Sequence, residues 1–133
     1  MAQKDIGNKT PLHELKTTEQ VMNYYDEWSK NNKYNNDMLE WEYSGPKETS
    51  ETLSKYQNNK DIKIYDAGCG SGLVGIELKK YGFNYFDGAD ISKELLNQVP
   101  DNLYNKLEQI DLNKKIDKED DFYDVVMCVG TFT

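Results

Sequence analysis

The sequence predicts an α/β domain, a parallel sheet flanked by helices and preceded by a helical N-terminal segment. Three observations lead there. From residue 61 onward, short β-favouring runs alternate with amphipathic stretches, the pattern of strands joined by helical crossovers. Before that point such runs are absent, and apolar and aromatic residues recur at helical offsets instead. Glycines crowd the point where the first strand meets the helix after it, in "DAGCGSG". The chain has 133 residues, enough for one domain with a modest core. Residues 1–60 are therefore read as a helical segment of the same domain as the core, residues 61–133.

Taken in order, "MAQKDIGNKT" is polar and expected to fray. From Leu12 to about Leu39 two helices are expected, on Leu12, Leu15, Val21, Tyr24, Tyr25 and Trp28, with "TTEQ" as a helix start. The asparagine-rich "NNKYNND" between them reads as a loop or a helix break. After the turn signal "SGP", "KETSETLSKY" is a third helix, ended by "QNNKD".

The texture then changes. "IKIYDAG" is a first strand, "SGLVGIELKKYG" a helix closed by Gly82, "FNYFDGAD" a second strand, and "ISKELLNQV" a helix stopped by Pro100. "LYNKLEQIDL" holds a third strand, although its front is equally compatible with a helix. "FYDVVMCVGT" is apolar enough for a buried strand. An apolar parallel strand with one side unpaired invites aggregation. The expectation is that further chain, or self-association, covers that edge.

Composition excludes several function classes. The formal net charge is −8, with eight lysines against ten acids up to residue 60 and eight against fourteen after it. All sixteen basic residues are lysine, so the planar, bidentate reader of phosphates is missing and no nucleic-acid partner is expected. No stretch approaches the roughly 18 apolar residues of a membrane span, and the N-terminus lacks an apolar signal core. A soluble, cytoplasmic protein is expected. Cys69 and Cys128 match no metal spacing and read as reduced thiols used as small hydrophobes; no metal site is expected.

The glycine loop has two registers. In a strand–loop–helix unit, glycines let main chain approach a ligand, and the helix start offers unpaired N–H groups. Read as Gly70, Gly72 and Gly75 it is GxGxxG, with Asp90 twenty residues on, the spacing of a dinucleotide site. Read as Asp66, Gly68, Gly70 and Gly72 it is a carboxylate followed by GxGxG, a pattern that holds S-adenosylmethionine. Charge favours the second register. A dinucleotide brings two negative charges to the turn, whereas S-adenosylmethionine brings a sulfonium and an ammonium with one carboxylate, and Asp66 at the strand tip attracts cations. The absence of arginine also argues against NADP.

Asp90 ends the second strand, where a carboxylate can accept both hydroxyls of a ribose; the competing role is N-cap of the following helix. Asp87, inside the strand, is the weaker candidate. Asp111 follows the third strand, where it can accept from an adenine amino group while the Leu112 N–H meets the ring.

The order "IYDAGCGSGLVGIELKKYGF", "FDGADIS", "IDL", "YDVVMCVGTF" resembles class I S-adenosylmethionine-dependent methyltransferases. "YYDEWSKN" and "GLVGIELKKYGF" are similar to the Williams-Beuren-region methyltransferase-like branch. The resemblance spans roughly residues 20 to 133 and implies a Rossmann-like sheet of seven strands, of which this sequence supplies four. It implies that Asp66, with the backbone of Gly68 and Gly70, meets the methionine moiety, and that Asp90 and Ile91 meet the ribose and adenine. Asp111 and Leu112 would meet the adenine ring, Val129 the reactive end, and Tyr34 would lid the pocket. The expected activity is transfer of the methyl group of S-adenosylmethionine to a small molecule, with no catalytic base assigned. Two alternatives remain: a non-catalytic fragment that binds cofactor or a partner chain, and an NAD-dependent oxidoreductase using Gly70, Gly72 and Gly75.

Overall fold

In the computed structural model, residues 15–41, 43–114 and 122–129 are described. The polar N-terminal ten residues and the expected helix start at Leu12 lie outside them. Helix α1 (Thr18–Ser29) begins at the predicted signal. The Thr17 hydroxyl accepts from the Gln20 amide at 3.1 Å while the Gln20 side chain accepts from the Thr17 amide at 3.2 Å, a reciprocal cap that satisfies otherwise orphaned donors.

The break after α1 is shorter than "NNKYNND" suggests. A single tight turn, Lys30–Asn32, separates α1 from α2 (Lys33–Glu40), with Asn31 and Asn32 at φ 56° and 61°. Asparagine tolerates the left-handed region better than most residues, so two asparagines suffice to turn the chain. Residues 33–37 then continue as helix, which puts Tyr34 on α2. The two helices are joined inside by the Trp28 indole N–H donating to Asp37 Oδ2 at 2.7 Å, in a cluster with Tyr24 and Met38. Helix α3 (Gly45–Tyr56) starts within the "SGP" signal, its proline placed in the first turn, where a missing N–H costs nothing.

Strands β1 (Lys63–Ala67), β2 (Tyr85–Asp90), β3 (Lys106–Gln109) and β4 (Val125–Met127) form one parallel sheet in the order β3-β2-β1-β4. Helix α4 (Leu73–Lys80) follows β1 and α5 (Lys93–Leu96) follows β2. The α5 segment is shorter than predicted: after Leu96 the chain continues in tight turns, Gln98 and Val99 donating to carbonyls three residues back. On one face of the sheet Ile64 and Phe86 pack against Leu78 of α4 and Phe83, all fully buried; each contributes roughly 1.5–3 kcal/mol by leaving water.

One expectation needs correcting. β4 is not buried throughout. Val126 is 62% exposed whereas Met127 is buried, and among the described residues β4 pairs with β1 alone. An apolar run marks a strand covered on both faces only when both faces have cover; here Leu53 and Val125 pack on one core cluster while the Val126 side stays open. Among the described residues no helix is long and apolar enough to cross a membrane.

Candidate functional site

All four strands are parallel, so their carboxyl ends lie along one edge, where open α/β sheets place ligands. A cleft of about 570 Å³ opens there, within the range of small-molecule sites. It is lined by Gly68 and Gly70 of the loop, by Asp90, Ile91 and Leu95 at and after the end of β2, by Ile110, Asp111, Leu112 and Asn113 after β3, by Leu15, Lys16, Thr17, Thr18, Val21, Tyr25 and Tyr34 of the N-terminal segment, and by Val129 after β4. Eight of the ten residues singled out in the sequence are thus brought together. Tyr34, drawn from a stretch read as a loop or a helix break, reaches the cleft from helix α2, its ring 4.8 Å from that of Trp28.

The glycine loop is built by internal bonds. The Gly68 and Cys69 amides both donate to the Ala89 carbonyl, at 2.8 and 2.9 Å, and Gly72 donates to Cys69 O at 3.0 Å. Gly70 N donates to Asp90 Oδ2 at 2.9 Å. These four amides are committed within the fold. At Gly70 the φ of +55° favours glycine, while an added Cβ would meet nothing closer than 3.8 Å; main chain is bare toward the cleft at this point.

Asp90 accepts from Gly70 on one oxygen and from the Ser92 amide at 2.9 Å on the other. Burial, the largest influence, raises its pKa, and these amides oppose the rise. The helix cap it was weighed against is supplied by Ser92, whose hydroxyl accepts from Leu95 N at 3.2 Å. A carboxylate has about four acceptor positions, so Asp90 keeps capacity facing the cleft. Asp111 bonds locally, accepting from the Asn113 amide at 2.9 Å.

Asp66 and Gly72 are placed differently from expectation. Asp66 lies beneath the loop, 1% exposed, and is not part of the cleft lining. Its Oδ2 accepts from the Tyr104 hydroxyl at 2.6 Å, and Oδ1 has no hydrogen-bond partner among the described residues. Burial pushes the Asp66 carboxyl up to about 7, with the Tyr104 bond pulling down and Asp90 adding a smaller rise. Gly72 turns to Val99, 3.2 Å from where its Cβ would stand.

Sequence reasoning missed the N-terminal wall and the ties that hold it. Ser92 donates to Asp26 Oδ1 at 2.5 Å, Ser71 to Asn35 Oδ1 at 2.5 Å, and Gln98 Nε2 to Ser29 O at 2.6 Å. Tyr25, on this wall, has its hydroxyl pKa pushed up to about 12, by burial first and then by Asp90. The signal available was the amphipathic face of α1, which showed burial without showing against what. Among the described residues no group of three or more His, Cys, Asp or Glu could hold a metal ion.

A family model described as "Methyltransferase domain" matches residues 64–133. Over an alignment of 144 residues the chain is 27% identical to Methyltransferase-like protein 27 of Homo sapiens, covering 100% of this chain and 58% of the human protein. Among solved structures, the plantazolicin methyltransferase BpumL, in complex with SAH, is 18% identical with a TM-score of 0.55, over 81% of this chain and 46% of its own. DesVI of Streptomyces venezuelae is 17% identical with a TM-score of 0.50, over 71% of this chain and 42% of its own. At such identities the two structures speak for the fold, and the chain spans little more than half the length of its human relative. The family match begins inside β1, runs through the glycine loop and both acid-bearing strand ends to β4, and takes in more than half of the 133 residues: the chain belongs to the methyltransferase domain family.

Proposed function

We propose that the cleft binds S-adenosylmethionine and that the protein transfers the methyl group to a small-molecule acceptor. The observation that carries this reading is Asp90, a carboxylate at the tip of β2 whose two oxygens are oriented by the Gly70 and Ser92 amides and which still faces the cleft. That placement suits a ligand hydroxyl, because a carboxylate with about four acceptor positions keeps capacity beyond the Ser92, Gly70 and Ile91 amides that favour its charge. When bound, S-adenosylmethionine supplies an electrophilic methyl on a sulfonium.

The chain's own residues would do the rest. Gly68 and Gly70 expose main chain for close approach, Ile91 and Leu112 offer apolar contact to a flat base, and Asp111 can accept from an exocyclic amine. Lys16, the one cation of the lining among the described residues, stands on the N-terminal wall, where a ligand carboxylate can reach it. Tyr25 and Tyr34 shield the cleft from water, which strengthens charge interactions inside it. Transfer to a good nucleophile needs mainly in-line positioning, which these walls provide without a base.

Calorimetric titration with S-adenosylmethionine, SAH and NAD tests the reading. The first two should bind and NAD should not. Equal binding of NAD, or an affinity for S-adenosylmethionine untouched by Asp90→Ala, would overturn it. Release of labelled methyl to a panel of small acceptors then tests transfer.

A further inference from the structure

We propose that Tyr104 is a positioning residue of this cleft, its one hydroxyl pinning both ends of the glycine loop and orienting the Asp66 carboxylate beneath it; the part concerning ligand affinity rests on the S-adenosylmethionine reading above. Tyr104 belongs to none of the motifs. It follows α5, is 8% exposed and packs edge-on against Phe86 at 5.0 Å.

Its oxygen lies 3.1 Å from the Gly75 amide and 2.6 Å from Asp66 Oδ2. Asp66 precedes the loop and Gly75 sits in the first turn of α4, so the bridge spans the loop from one end to the other. A backbone N–H can only donate. The tyrosine oxygen must therefore accept from Gly75, and its proton is committed to Asp66. The bridge has a direction, and it favours the ionised carboxylate.

Two glycines make room for it. A Cβ on Gly75 would stand 2.5 Å from the Tyr104 ring, and one on Gly88 2.8 Å from it. Glycine inside a helix or strand weakens that element by roughly 1 kcal/mol, a cost the sequence bears in both α4 and β2. Space filling alone would be served equally by phenylalanine. The hydroxyl's two bonds are what phenylalanine would lose.

The groups acting on Asp66 are Tyr104 from the segment after α5, Asp90 from β2, Cys69 from the loop and Cys128 after β4. None is cationic. Burial and Asp90 favour the neutral acid, and Tyr104 alone among them favours the charge that a sulfonium or ammonium ligand would prefer. Removing its hydroxyl should therefore loosen the loop and move the titration of Asp66 upward.

The test is Tyr104→Phe in the full chain, with two readouts. In the absence of ligand, hydrogen exchange of the amides from Gly68 to Gly75 should quicken by about tenfold; unchanged rates overturn the pinning. With S-adenosylmethionine titrated across about pH 5.5 to 9, wild-type affinity should rise through about pH 7. In Tyr104→Phe it should be about tenfold weaker at neutral pH, with the midpoint at higher pH, and Asp66→Asn should be flat. A Tyr104 hydroxyl that only adds stability would lower the melting temperature in Tyr104→Phe while leaving affinity and midpoint of the folded protein unchanged, which overturns the proposal. Should Tyr104→Phe fail to fold, Asp66→Asn makes the pH comparison with the ring intact, and a retained pH slope overturns it. Wild type that binds no S-adenosylmethionine overturns the cofactor reading instead, and exchange alone then decides the pinning.

Discussion

Asp90 receives the Gly70 amide at 2.9 Å and so fastens the glycine loop to the tip of β2. The same carboxylate receives Ser92 on its other oxygen, which means that the turn entering α5 and the loop entering α4 share one anchor. Two segments that line the cleft are thereby held together, and preorganisation of this kind reduces what a binding event would have to order.

Asp90→Ala should therefore act twice. Two backbone donors lose a charged acceptor, so stability should fall by roughly 2 kcal/mol, read by denaturant unfolding. Affinity for S-adenosylmethionine should fall by about tenfold or more, read by titration under conditions where the variant remains folded. A variant that loses stability and keeps full affinity would show the carboxylate to be a scaffold only.

The glycines of the loop should separate by mutation. Gly75→Ala places a methyl 2.5 Å from the buried Tyr104 ring, so that ring or helix must shift, and should cost about 3 kcal/mol or more by overpacking. Gly70→Ala meets no atom closer than 3.8 Å and carries only the penalty of φ +55°, about 1–2 kcal/mol. Thermal unfolding of the pair checks the order; equal losses would contradict the notch.

Stability should carry the signature of Asp66. Its carboxyl is raised from 3.8 to about 7 in the folded protein, through burial first. A group whose folded pKa is the higher favours folding below its unfolded value, and that contribution is lost as pH rises through the folded one. The stability of wild type relative to Asp66→Asn should thus decline between about pH 4 and 7 and stay level above, by an amount on the order of a few kcal/mol. A pH-independent difference between the two proteins would refute it.

Asp37 holds the α1–α2 pair from within. It is buried, accepts from the Trp28 indole at 2.7 Å and meets the Lys33 ammonium at 3.1 Å. Asp37→Ala leaves the indole donor without its partner and should cost about 1–3 kcal/mol. Denaturation followed by tryptophan fluorescence reads this loss, and an unaltered transition would show that the two helices do not need the bond.

What could be read from the chain itself depended on how far apart the partners lie. "TTEQ" announced the start of α1 because its cap closes over three residues, and the alternation after residue 61 announced the sheet because crossovers are local. Of the two readings of "NNKYNND", loop or helix break, the break is what forms, and Tyr34 falls on the helix after it because asparagines signal a turn without telling how short it is. Tyr104 left no trace, since its partners Asp66 and Gly75 lie 38 and 29 positions away. Gly75 was counted with a dinucleotide fingerprint, yet its lack of a side chain serves a neighbouring ring. Asp66 was placed at the ligand surface because a strand tip is visible in sequence and the direction of its side chain is not.

The order β3-β2-β1-β4 bears on how the sheet assembles. β1 finds β2, and β2 finds β3, across short crossovers, whereas Lys63 meets Asp124 over a separation of 61 residues. Closing the longer loop costs more entropy before any contact rewards it. β4 should be the last strand to dock, so truncating Val125 should speed unfolding and leave the refolding rate almost unchanged, while truncating Ile64 should slow refolding; stopped-flow kinetics of the two variants would expose the opposite sequence.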